Sequence, residues 1–394
     1  MQNVVVRQRG AARVRAGHAW IYRSDIFSAD GIAPGATVAV SDDKGKTLGA
    51  ALYSSSSQIA LRMISTQKLA SDELPALLRQ RIAAAVRYRE RVVSNTDAYR
   101  VIFSEADFLP GLIVDRYHDL LSMQVLTQAM DRAETRAVIV TGLIEELAPA
   151  AIVERADPRI RELEQLPARP SEVLHGEKTG TIFSMNGVRF RYQALAGQKT
   201  GAFLDQRENY AAAAQYARGE ALDVFCYEGG FALHLARVCG KVTGVDSSRP
   251  ALEMAEANEQ LNSEVHGGNE IEWIEANAFD LLKDYAAAGR QYDAIVLDPP
   301  PFARSKRALD SALRGYKELN LRALKMLRPG GILVSCSCSY HLSEAEFVAM
   351  LAEAAADARR PLRILEKRTQ AKDHPILVSV PETGYLKCII CVAT

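Results

Sequence analysis

The sequence contains no apolar run that approaches the roughly 18 residues needed to cross a membrane as a helix. Its beginning, M-Q-N-V-V-V-R, has no signal-peptide pattern. Neither sign of charge is in excess, because 48 lysines and arginines face 48 acidic residues and the formal net charge is zero. These absences predict a cytoplasmic protein with no membrane partner, and they argue against a uniformly basic coat for nucleic acid.

Cysteine is also scarce, and no disulfide framework is expected. The six cysteines lie mostly within apolar runs, which indicates buried or reactive thiols in a reducing compartment. Cys388 and Cys391 form a C-x-x-C pair, but no second pair with the spacing of zinc ligands follows it. We therefore interpret K-C-I-I-C-V as a closing strand and expect no metal site.

Arginine is distributed unevenly along the chain. One group precedes the first acidic residue, Asp25, and consists of Arg7, Arg9, Arg13, Arg15 and Arg23. A second group lies in a helical stretch and consists of Arg79, Arg81, Arg87, Arg89 and Arg91. Such patches can contact phosphate. For the second group, a solvated helix face is an equally good explanation.

A length of 394 residues predicts two or three domains. Residues 1–70 alternate turn signals with β-prone runs, which predicts a small β-barrel. Residues 71–185 combine two helical stretches, Leu74 to Val93 and Arg132 to Leu147, with strand-like runs. They predict an α+β middle domain, with the segment from 167 to 180 as a connector. Residues 186–394 alternate strands and helices, which is typical of a doubly wound α/β domain with a parallel sheet.

Polar groups and glycines follow the first strands of this predicted sheet. Asp223 ends one strand, Gly229 and Gly230 open the next helix, and Asp246 ends the following strand, where a carboxylate can bind both ribose hydroxyls. The turn is not G-x-G-x-x-G, so S-adenosylmethionine, which carries no phosphate, fits better than a dinucleotide. Asn277 follows the third strand and is interpreted either as a ligand of an adenine edge or as a helix cap.

Two later strands end in chemically reactive groups. Y-D-A-I-V-L is followed by Asp298, three prolines and Phe302, and G-G-I-L-V is followed by S-C-S-C-S with Cys336 and Cys338. Ligands of an open parallel sheet bind beyond the carboxyl ends of the strands, so these groups are expected to share one crevice. An acid, an aromatic ring and thiols suit methyl transfer to a base. Phe302 stacks on that base or belongs to the core.

These motifs, together with Q-K-T-G-A-F-L-D-Q-R-E-N and D-V-F-C-Y-E-G-G-F, resemble the ribosomal RNA large-subunit methyltransferases of the RlmI group over nearly the whole chain. The resemblance implies a PUA-like RNA-binding domain and a Rossmann-like class I methyltransferase domain. It implies methylation of carbon 5 of a cytosine in 23S ribosomal RNA with S-adenosylmethionine. Two residues depart from the family motifs. Glu228 replaces the usual threonine, which affects an expected cofactor contact, and Pro301 replaces the usual lysine, which removes an expected contact to RNA.

The chemistry of carbon 5 needs a nucleophile, because this carbon is itself unreactive. A thiolate that adds to carbon 6 activates carbon 5, and an acid near ring nitrogen 3, here Asp298, stabilises the adduct. We assign the thiol to Cys338, with Cys336 as the alternative, since residues two apart share one side of a strand. Two small buried hydrophobic residues are the structural alternative. An attacking thiol is expected to be partly exposed and electrostatically favoured.

The segment before the first strand of the sheet concentrates polar groups, which the resemblance places over the cofactor and target pocket. A salt-bridge cluster is the alternative explanation for them. The complete set of expected cofactor-binding residues is Lys199, Thr200, Asp205, Arg207, Asp223, Tyr227, Gly229, Asp246, Asn277 and Asp298.

Two other functions remain open from the sequence. In the first, the same fold methylates an exocyclic nitrogen of a base and needs no thiol. In the second, the protein is an inert RNA-binding or ribosome-assembly module. The cysteine pair disfavours the first, and the intact set of Asp246, Asp298 and Cys338 disfavours the second. The sequence leaves a homodimer open and does not define the target nucleotide.

Overall fold

The structure is a computed structural model that describes residues 1–70, 72–195, 201–264, 269–303 and 305–394. The chain forms two compact units. Unit 1 contains residues 1–183, 192–201 and 372–383, and unit 2 contains residues 184–191, 202–371 and 384–394. The two boundaries between the three domains expected from the sequence stay predictions.

Unit 1 begins with a mixed sheet in the order β1-β3-β4-β5-β2, in which β1 pairs with β3 in parallel. Its elements are β1 (Asn3–Val6), α1 (Gln8–Arg15), β2 (Trp20–Tyr22), β3 (Thr37–Asp42), β4 (Thr47–Tyr53) and β5 (Ile59–Ser65). The sequence pattern did not predict α1. This helix packs through the small residues Gly10 and Ala11, so it has no broad apolar stripe to signal it.

A second sheet of unit 1 has the order β10-β9-β8-β7-β6. Its elements are α2 (Leu74–Val92), β6 (Ala98–Phe103), β7 (Leu112–Tyr117), β8 (Leu120–Val125), α3 (Ala133–Leu147), β9 (Ala151–Glu154), α4 (Pro158–Leu163) and β10 (Glu172–Gly176). The connector expected at 167–180 is wrong in part, because it contains β10. This strand lies at the sheet edge with none of its residues buried, so it lacks the alternating apolar pattern of a strand.

Strands β4 and β5 of the first sheet contribute side chains to two core clusters of unit 1. Ala50, Leu52 and Ile64 belong to the core cluster that contains α2 and the second sheet. Ala51 and Leu61 belong to a separate cluster with α1 and the first sheet. Because alternate residues of a strand point to opposite faces, β4 and β5 are buried on both sides. Residues 1–70 are therefore packed into the same unit as the region that follows them.

The arginines of α2 do not form one surface. Arg89 is 1% exposed, and its two terminal nitrogens donate to the carboxylate of Asp107 at 2.5 and 2.8 Å. Arg81 donates to the backbone carbonyls of Phe108 and Ile64. Burial lowers the pKa of Arg81 to about 10. These two arginines hold the fold together, so the expectation of a single phosphate-binding or solvated face is wrong for them.

A two-stranded sheet of β11 (Gly180–Met185) and β12 (Val188–Gln193) follows, and the division between the units passes through both strands. Unit 2 then contains α5 (Arg207–Tyr216), β13 (Glu220–Val224), α6 (Gly230–Leu235), β14 (Lys241–Asp246), α7 (Arg249–Leu261), β15 (Glu270–Glu275), α8 (Ala278–Ala287), β16 (Tyr292–Leu297), α9 (Leu309–Met326), β17 (Leu327–Ser337), α10 (Glu344–Ala358), β18 (Leu362–Arg368) and β19 (Lys387–Ala393).

The sheet of unit 2 has the order β15-β14-β13-β16-β17-β19-β18. Strands β13 to β17 are parallel, whereas β19 is antiparallel to both β17 and β18. The α/β class expected from the sequence is confirmed, and K-C-I-I-C-V is the strand β19. The strand order reverses between β13 and β16, which is where open parallel sheets bind their ligands.

Two further expectations concern absences. No helix among the described residues is both long and apolar enough to span a membrane. Over the same residues, no group of three or more histidine, cysteine or acidic side chains has a metal-binding arrangement.

Candidate active site

The loop between β13 and α6 has a backbone that brings it close to neighbouring side chains. Phe225, Tyr227 and Gly229 have positive φ angles of 68°, 49° and 87°. At Gly230, a Cβ atom would lie 2.5 Å from the ring of Tyr210. Gly229 and Gly230 therefore permit a tight turn against a buried aromatic ring, and α6 begins at Gly230, as the sequence predicted.

Asp246 ends β14 with both carboxylate oxygens already oriented by the backbone. The Tyr227 N–H donates to Oδ2 at 3.0 Å and the Ser248 N–H donates to Oδ1 at 2.9 Å. Two backbone donors of this kind fix the rotamer of the Asp246 side chain. Tyr227 thus contributes its backbone N–H to the site, while its ring lies 5.0 Å from the ring of Phe203.

Asp223 is fully buried on β13, and only one of its oxygens has a partner. Oδ2 accepts from the Ala232 N–H at 2.8 Å, whereas Oδ1 has no hydrogen-bond partner in the described part of the chain. Burial raises the pKa of Asp223 well above its usual value, and the negative charges of Asp298 and Asp246 raise it further. A buried oxygen without a partner is costly unless a ligand satisfies it.

Asp298 follows β16 and is held by a side chain that the sequence pattern did not single out. Gln206 donates from Nε2 to Asp298 Oδ1 at 3.0 Å. Burial raises the pKa of Asp298 to about 7, with a further contribution from the negative charge of Asp205. The group is therefore poised to change protonation near neutral pH, as a general acid should be.

The two candidate cysteines lie in different environments. Cys336 is inside β17, has no exposed surface, and faces Cys388 of β19 in the strand register. Cys338 follows the strand and is partly exposed, and its Sγ lies 4.0 Å from the carbonyl oxygen of Pro299. Burial raises the pKa of both thiols, that of Cys338 to about 12. Cys338 meets the expected exposure, but the ligand-free site does not favour its thiolate.

The serines around Cys338 hold it in place. Ser337 donates to the hydroxyl of Tyr316 at 2.9 Å, and that hydroxyl shares a hydrogen bond of 3.0 Å with Ser339. Ser339 also accepts from the Ala303 N–H at 3.1 Å. Both neighbours of Cys338 are thus bound to α9 through Tyr316, which was missed in the sequence because a helix aromatic looks like any core residue.

Lys387 is a second buried group near Cys338 that sequence reasoning missed. It is 8% exposed and donates from Nζ to the carbonyl of Ser339 at 2.6 Å and to that of Tyr385 at 2.8 Å. Burial lowers the pKa of Lys387 to about 8, and the nearby Cys338 raises it. Lys387 therefore places a cation beside the Cys338 segment.

The structure describes only part of the polar segment that leads into α5. Lys199 and Thr200 lie outside the described residues. Asp205 is partly buried and accepts from the Tyr385 hydroxyl at 2.5 Å. Arg207 is 2% exposed, which favours the alternative of a structural side chain over that of a direct ligand.

Two alternatives left open by the sequence can be compared with the structure. The side-chain oxygen of Asn277 accepts from the N–H groups of Phe279 and Asp280 at 2.9 and 3.4 Å, so Asn277 caps α8. Phe302 packs against the core of unit 2, with its ring 4.7 Å from that of Tyr316. Both residues therefore have structural contacts, and their roles toward adenine and the target base stay predictions.

The carboxylates at the sheet edge fit a positively charged nucleoside. Burial raises the pKa of both Asp223 and Asp298, and the negative charge of Asp298 raises that of Asp223 further, so a cation bound beside them would stabilise their ionised forms. S-adenosylmethionine carries a sulfonium and an ammonium group, and its ribose hydroxyls suit the fixed carboxylate of Asp246. The role of Asp246 toward the ribose and that of Asp223 toward the cofactor stay predictions.

Comparison with known proteins agrees with this fit. Residues 4–66 match the family model of the PUA-like domain, and residues 116–389 match that of the S-adenosylmethionine-dependent methyltransferases. Ribosomal RNA large subunit methyltransferase I of Vibrio parahaemolyticus is 36% identical over 385 residues, which cover 96% of each chain. The protein of the same name from Shewanella denitrificans is 37% identical over 381 residues, which cover 95% of this chain and 94% of that one.

Solved structures share the fold over the full length. A methyltransferase structure in complex with SAH aligns with a TM-score of 0.85 at 19% identity, and an S-adenosylmethionine-dependent methyltransferase from Streptococcus mutans aligns with a TM-score of 0.83 at 19% identity. Each alignment covers 100% of both chains. The PUA-like and class I methyltransferase folds expected from the sequence are thus confirmed, as is the cofactor. The chain belongs to the S-adenosylmethionine-dependent methyltransferase family, in the group of the ribosomal RNA large subunit methyltransferases I.

Proposed function

We propose that the protein methylates carbon 5 of a cytosine in large-subunit ribosomal RNA through a covalent adduct with Cys338. The relatives' shared name supports the RNA class. The observation that carries the chemistry is the position of Cys338, partly exposed at the end of β17, with its Sγ 4.0 Å from the Pro299 carbonyl in the loop that presents Asp298.

In the proposed reaction, the Cys338 sulfur forms a bond to carbon 6 of the cytosine. Asp298 in its protonated form donates to ring nitrogen 3, which accepts the electron pair displaced from the ring. S-adenosylmethionine supplies the methyl group and a neutral thioether leaving group. Carbon 5 then takes up the methyl group, and nitrogen 3 returns its proton to Asp298. A base finally removes the proton from carbon 5, and the bond between carbon 6 and sulfur breaks to release the thiolate.

The pKa of Cys338 shapes this proposal. A thiol with a pKa of about 12 is almost entirely protonated at neutral pH, so the thiolate must be favoured by what binds beside it. Neutralisation of Asp298, whose charge raises this pKa, lowers it again, and the cation of Lys387 acts in the same direction. We expect thiolate formation to accompany substrate and cofactor binding.

One observation favours a second candidate function. Because the resting thiol is protonated, a reaction that needs no thiolate deserves testing, and methyl transfer to the exocyclic nitrogen of a base is such a reaction. Asp298 and the prolines after it would then hold the amine, and Cys338 would be a spectator.

Nucleoside mass spectrometry separates these functions. Ribosomal RNA lacking the modification is incubated with the protein and isotope-labelled cofactor, then digested to nucleosides. Labelled 5-methylcytidine supports the proposal, and a methyl group on an exocyclic nitrogen supports the second function. If no base carries the label although the cofactor still binds, the result supports an RNA-binding module without methyltransferase activity.

A further inference from the structure

A chain of three side chains leads from the surface of unit 2 to Asp298. Arg368 donates from Nε to Asn209 Oδ1 at 2.9 Å. Asn209 donates from Nδ2 to Gln206 Oε1 at 2.6 Å, and Gln206 donates from Nε2 to Asp298 Oδ1 at 3.0 Å. Gln206 and Asn209 are 3% and 1% exposed, so bulk water does not compete for these bonds.

The direction of this chain is fixed at its outer end. An arginine nitrogen can only donate, so the oxygen of Asn209 must face Arg368 and its amide nitrogen must face inward. That nitrogen also donates to the carbonyl of Thr369 at 3.2 Å, which accepts only. The oxygen of Gln206 must then face Asn209, and the nitrogen of Gln206 must face Asp298. Neither amide can rotate by 180° without opposing like groups.

The outer arginine is itself anchored. Arg368 donates from Nη1 to Glu366 Oε2 at 2.5 Å, and Glu366 Oε1 accepts from the Tyr216 hydroxyl at 2.7 Å. The Tyr216 and Arg368 hydrogen bonds lower the pKa of Glu366, so it stays ionised and keeps the guanidinium in place. The chain therefore starts from a fixed cation.

We propose that Arg368, Asn209 and Gln206 are positioning residues that hold Asp298 Oδ1 as a hydrogen-bond acceptor and leave Oδ2 as the oxygen that carries the catalytic proton. A carboxyl group can bear its proton on either oxygen. Since the Gln206 amide must donate to Oδ1, a proton on that oxygen would oppose it, and the proton is directed to Oδ2. The consequence for catalysis rests on the proposed function, whereas the chain itself does not.

Other groups also act on Asp298 and set the background for a pH experiment. They are Asp205 before α5, Tyr210 on α5, Asp223 on β13, and Cys336 and Cys338 at the end of β17. Burial and the charge of Asp205 raise the pKa of Asp298, whereas the Gln206 hydrogen bond lowers it. Removal of the Gln206 hydrogen bond alone should thus raise the pKa of Asp298.

The titration of Asp298 tests the chain without any catalysis. Protein labelled with carbon-13 in the aspartate carboxyl groups is titrated by NMR, and the Asp298 signal is the one absent from Asp298→Asn. We expect Gln206→Leu to raise the pKa of Asp298 by about one unit, as loss of a hydrogen bond to a charged group should. Gln206→Glu has nearly the same shape, should raise the pKa as well, and serves if the leucine variant does not fold.

Asn209→Asp tests the direction of the chain at a residue that does not bond to Asp298. Its carboxylate accepts from Arg368 and forces the Gln206 amide to turn, so that the Gln206 oxygen faces Asp298 Oδ1 and holds the proton there. We expect kcat to stay at least tenfold below that of the wild type even at a pH where Asp298 is protonated, whereas Gln206→Leu, which leaves Oδ2 free to bear the proton, should keep a kcat close to that of the wild type there. Asn320→Asp, at another buried asparagine of unit 2, should leave the Asp298 titration unchanged.

An unchanged Asp298 titration in Gln206→Leu would overturn the inference. So would equal kcat values of Asn209→Asp and Gln206→Leu at a pH where Asp298 is protonated, because the direction of the chain would then have no effect. If the titration shifts as expected but no 5-methylcytidine forms with the wild-type protein, the chain stands and the proposed function fails.

Discussion

Asp298 is an ionisable group whose burial costs free energy once it is charged. Its pKa is raised to about 7 in the folded protein, whereas an exposed aspartate titrates near 3.8. Below pH 4 the folded and unfolded chains both bind this proton. As the pH rises to about 7, the unfolded chain has already lost it, so the stability contributed by the neutral group is progressively lost.

Asp298→Asn should therefore stabilise the ligand-free protein at high pH. We expect its free energy of unfolding to exceed that of the wild type by about 2 to 4 kcal/mol at pH 8. The difference should shrink as the pH falls from 7 to 4 and should vanish below 4. Denaturant unfolding at a series of pH values measures it, and a difference that does not depend on pH would contradict the assigned cause.

Asp246 allows a different prediction at the residue scale, because two backbone hydrogen bonds fix the orientation of its side chain. Asp246→Ala should weaken S-adenosylmethionine binding by about 2 kcal/mol, through loss of charge-assisted hydrogen bonds to the ribose. Calorimetry measures the affinity, and circular dichroism checks the fold. Asp280→Ala, at an acidic residue in the first turn of α8, is the matched control. Unchanged affinity in Asp246→Ala would remove this residue from the site.

The sequence was informative about site residues that follow strands and weak about those that support them. The positions of Asp223, Asp246, Asp298 and Cys338 near the ends of parallel strands could be predicted, whereas their roles stay predictions. Gln206, by contrast, contacts Asp298 across 92 positions of sequence. Such long-range contacts depend on the packed fold, and a buried amide has no periodic pattern that would reveal its partner.

At the level of elements, β14, β15 and the loop before α6 meet around one indole ring. Gly244 of β14 lies opposite Trp273 of β15 in the strand register. A Cβ atom at Gly244 would come within 2.4 Å of this ring, and one at Gly229 within 2.9 Å. Trp273 is held by a 2.7 Å hydrogen bond from Nε1 to Glu259 of α7, so the ring cannot simply move away.

Gly244→Ala should lower the free energy of unfolding by about 1 to 3 kcal/mol, since overpacking forces side chains from their rotamers. It should also weaken cofactor binding, because the Gly229 loop rests on the same ring. Gly240→Ala is the control, as its Cβ would have 3.9 Å to the nearest atom. Denaturant unfolding and calorimetry measure both effects, and equal stability of the two variants would contradict the packing argument.

Elements with a strong pattern were predictable, and elements without one were not. The helix expected from Leu74 to Val93 ends one residue earlier in the structure, at Val92. By contrast, α1 and β10 were missed, because α1 packs through small residues and β10 is an edge strand without buried positions. Tertiary contacts, rather than local propensity, determine such elements.

At the level of the whole molecule, the neutral net charge places any RNA contact in local patches. Arg9 has a side chain that is 78% exposed, and the Arg7 guanidinium lies 4.6 Å from the centre of the exposed Phe27 ring. Deletion of residues 1–66 would not isolate this surface, because β4 and β5 also belong to the core around α2. Point variants are the better test of the proposed RNA contact.

The double variant Arg7→Gln and Arg9→Gln should weaken RNA binding and leave cofactor affinity unchanged. If both arginines contact phosphate, the slope of log K against log salt should fall in magnitude by up to about two. Arg249→Gln, at an arginine paired with Glu253 and Glu256 on α7, should change neither quantity. An unaltered salt slope in the double variant would exclude these arginines from the RNA contact.

The central claim, a covalent adduct between Cys338 and carbon 6 of a cytosine, is tested most directly by trapping. The RNA used carries 5-fluorocytosine at the target position. Fluorine cannot leave carbon 5 as a proton does, so the adduct should persist after methylation. We predict a complex that survives denaturing electrophoresis and maps to Cys338 by peptide mass spectrometry. It should persist in Cys336→Ser and disappear in Cys338→Ser. An adduct on Cys336, or no adduct together with full activity of Cys338→Ser, would contradict the account.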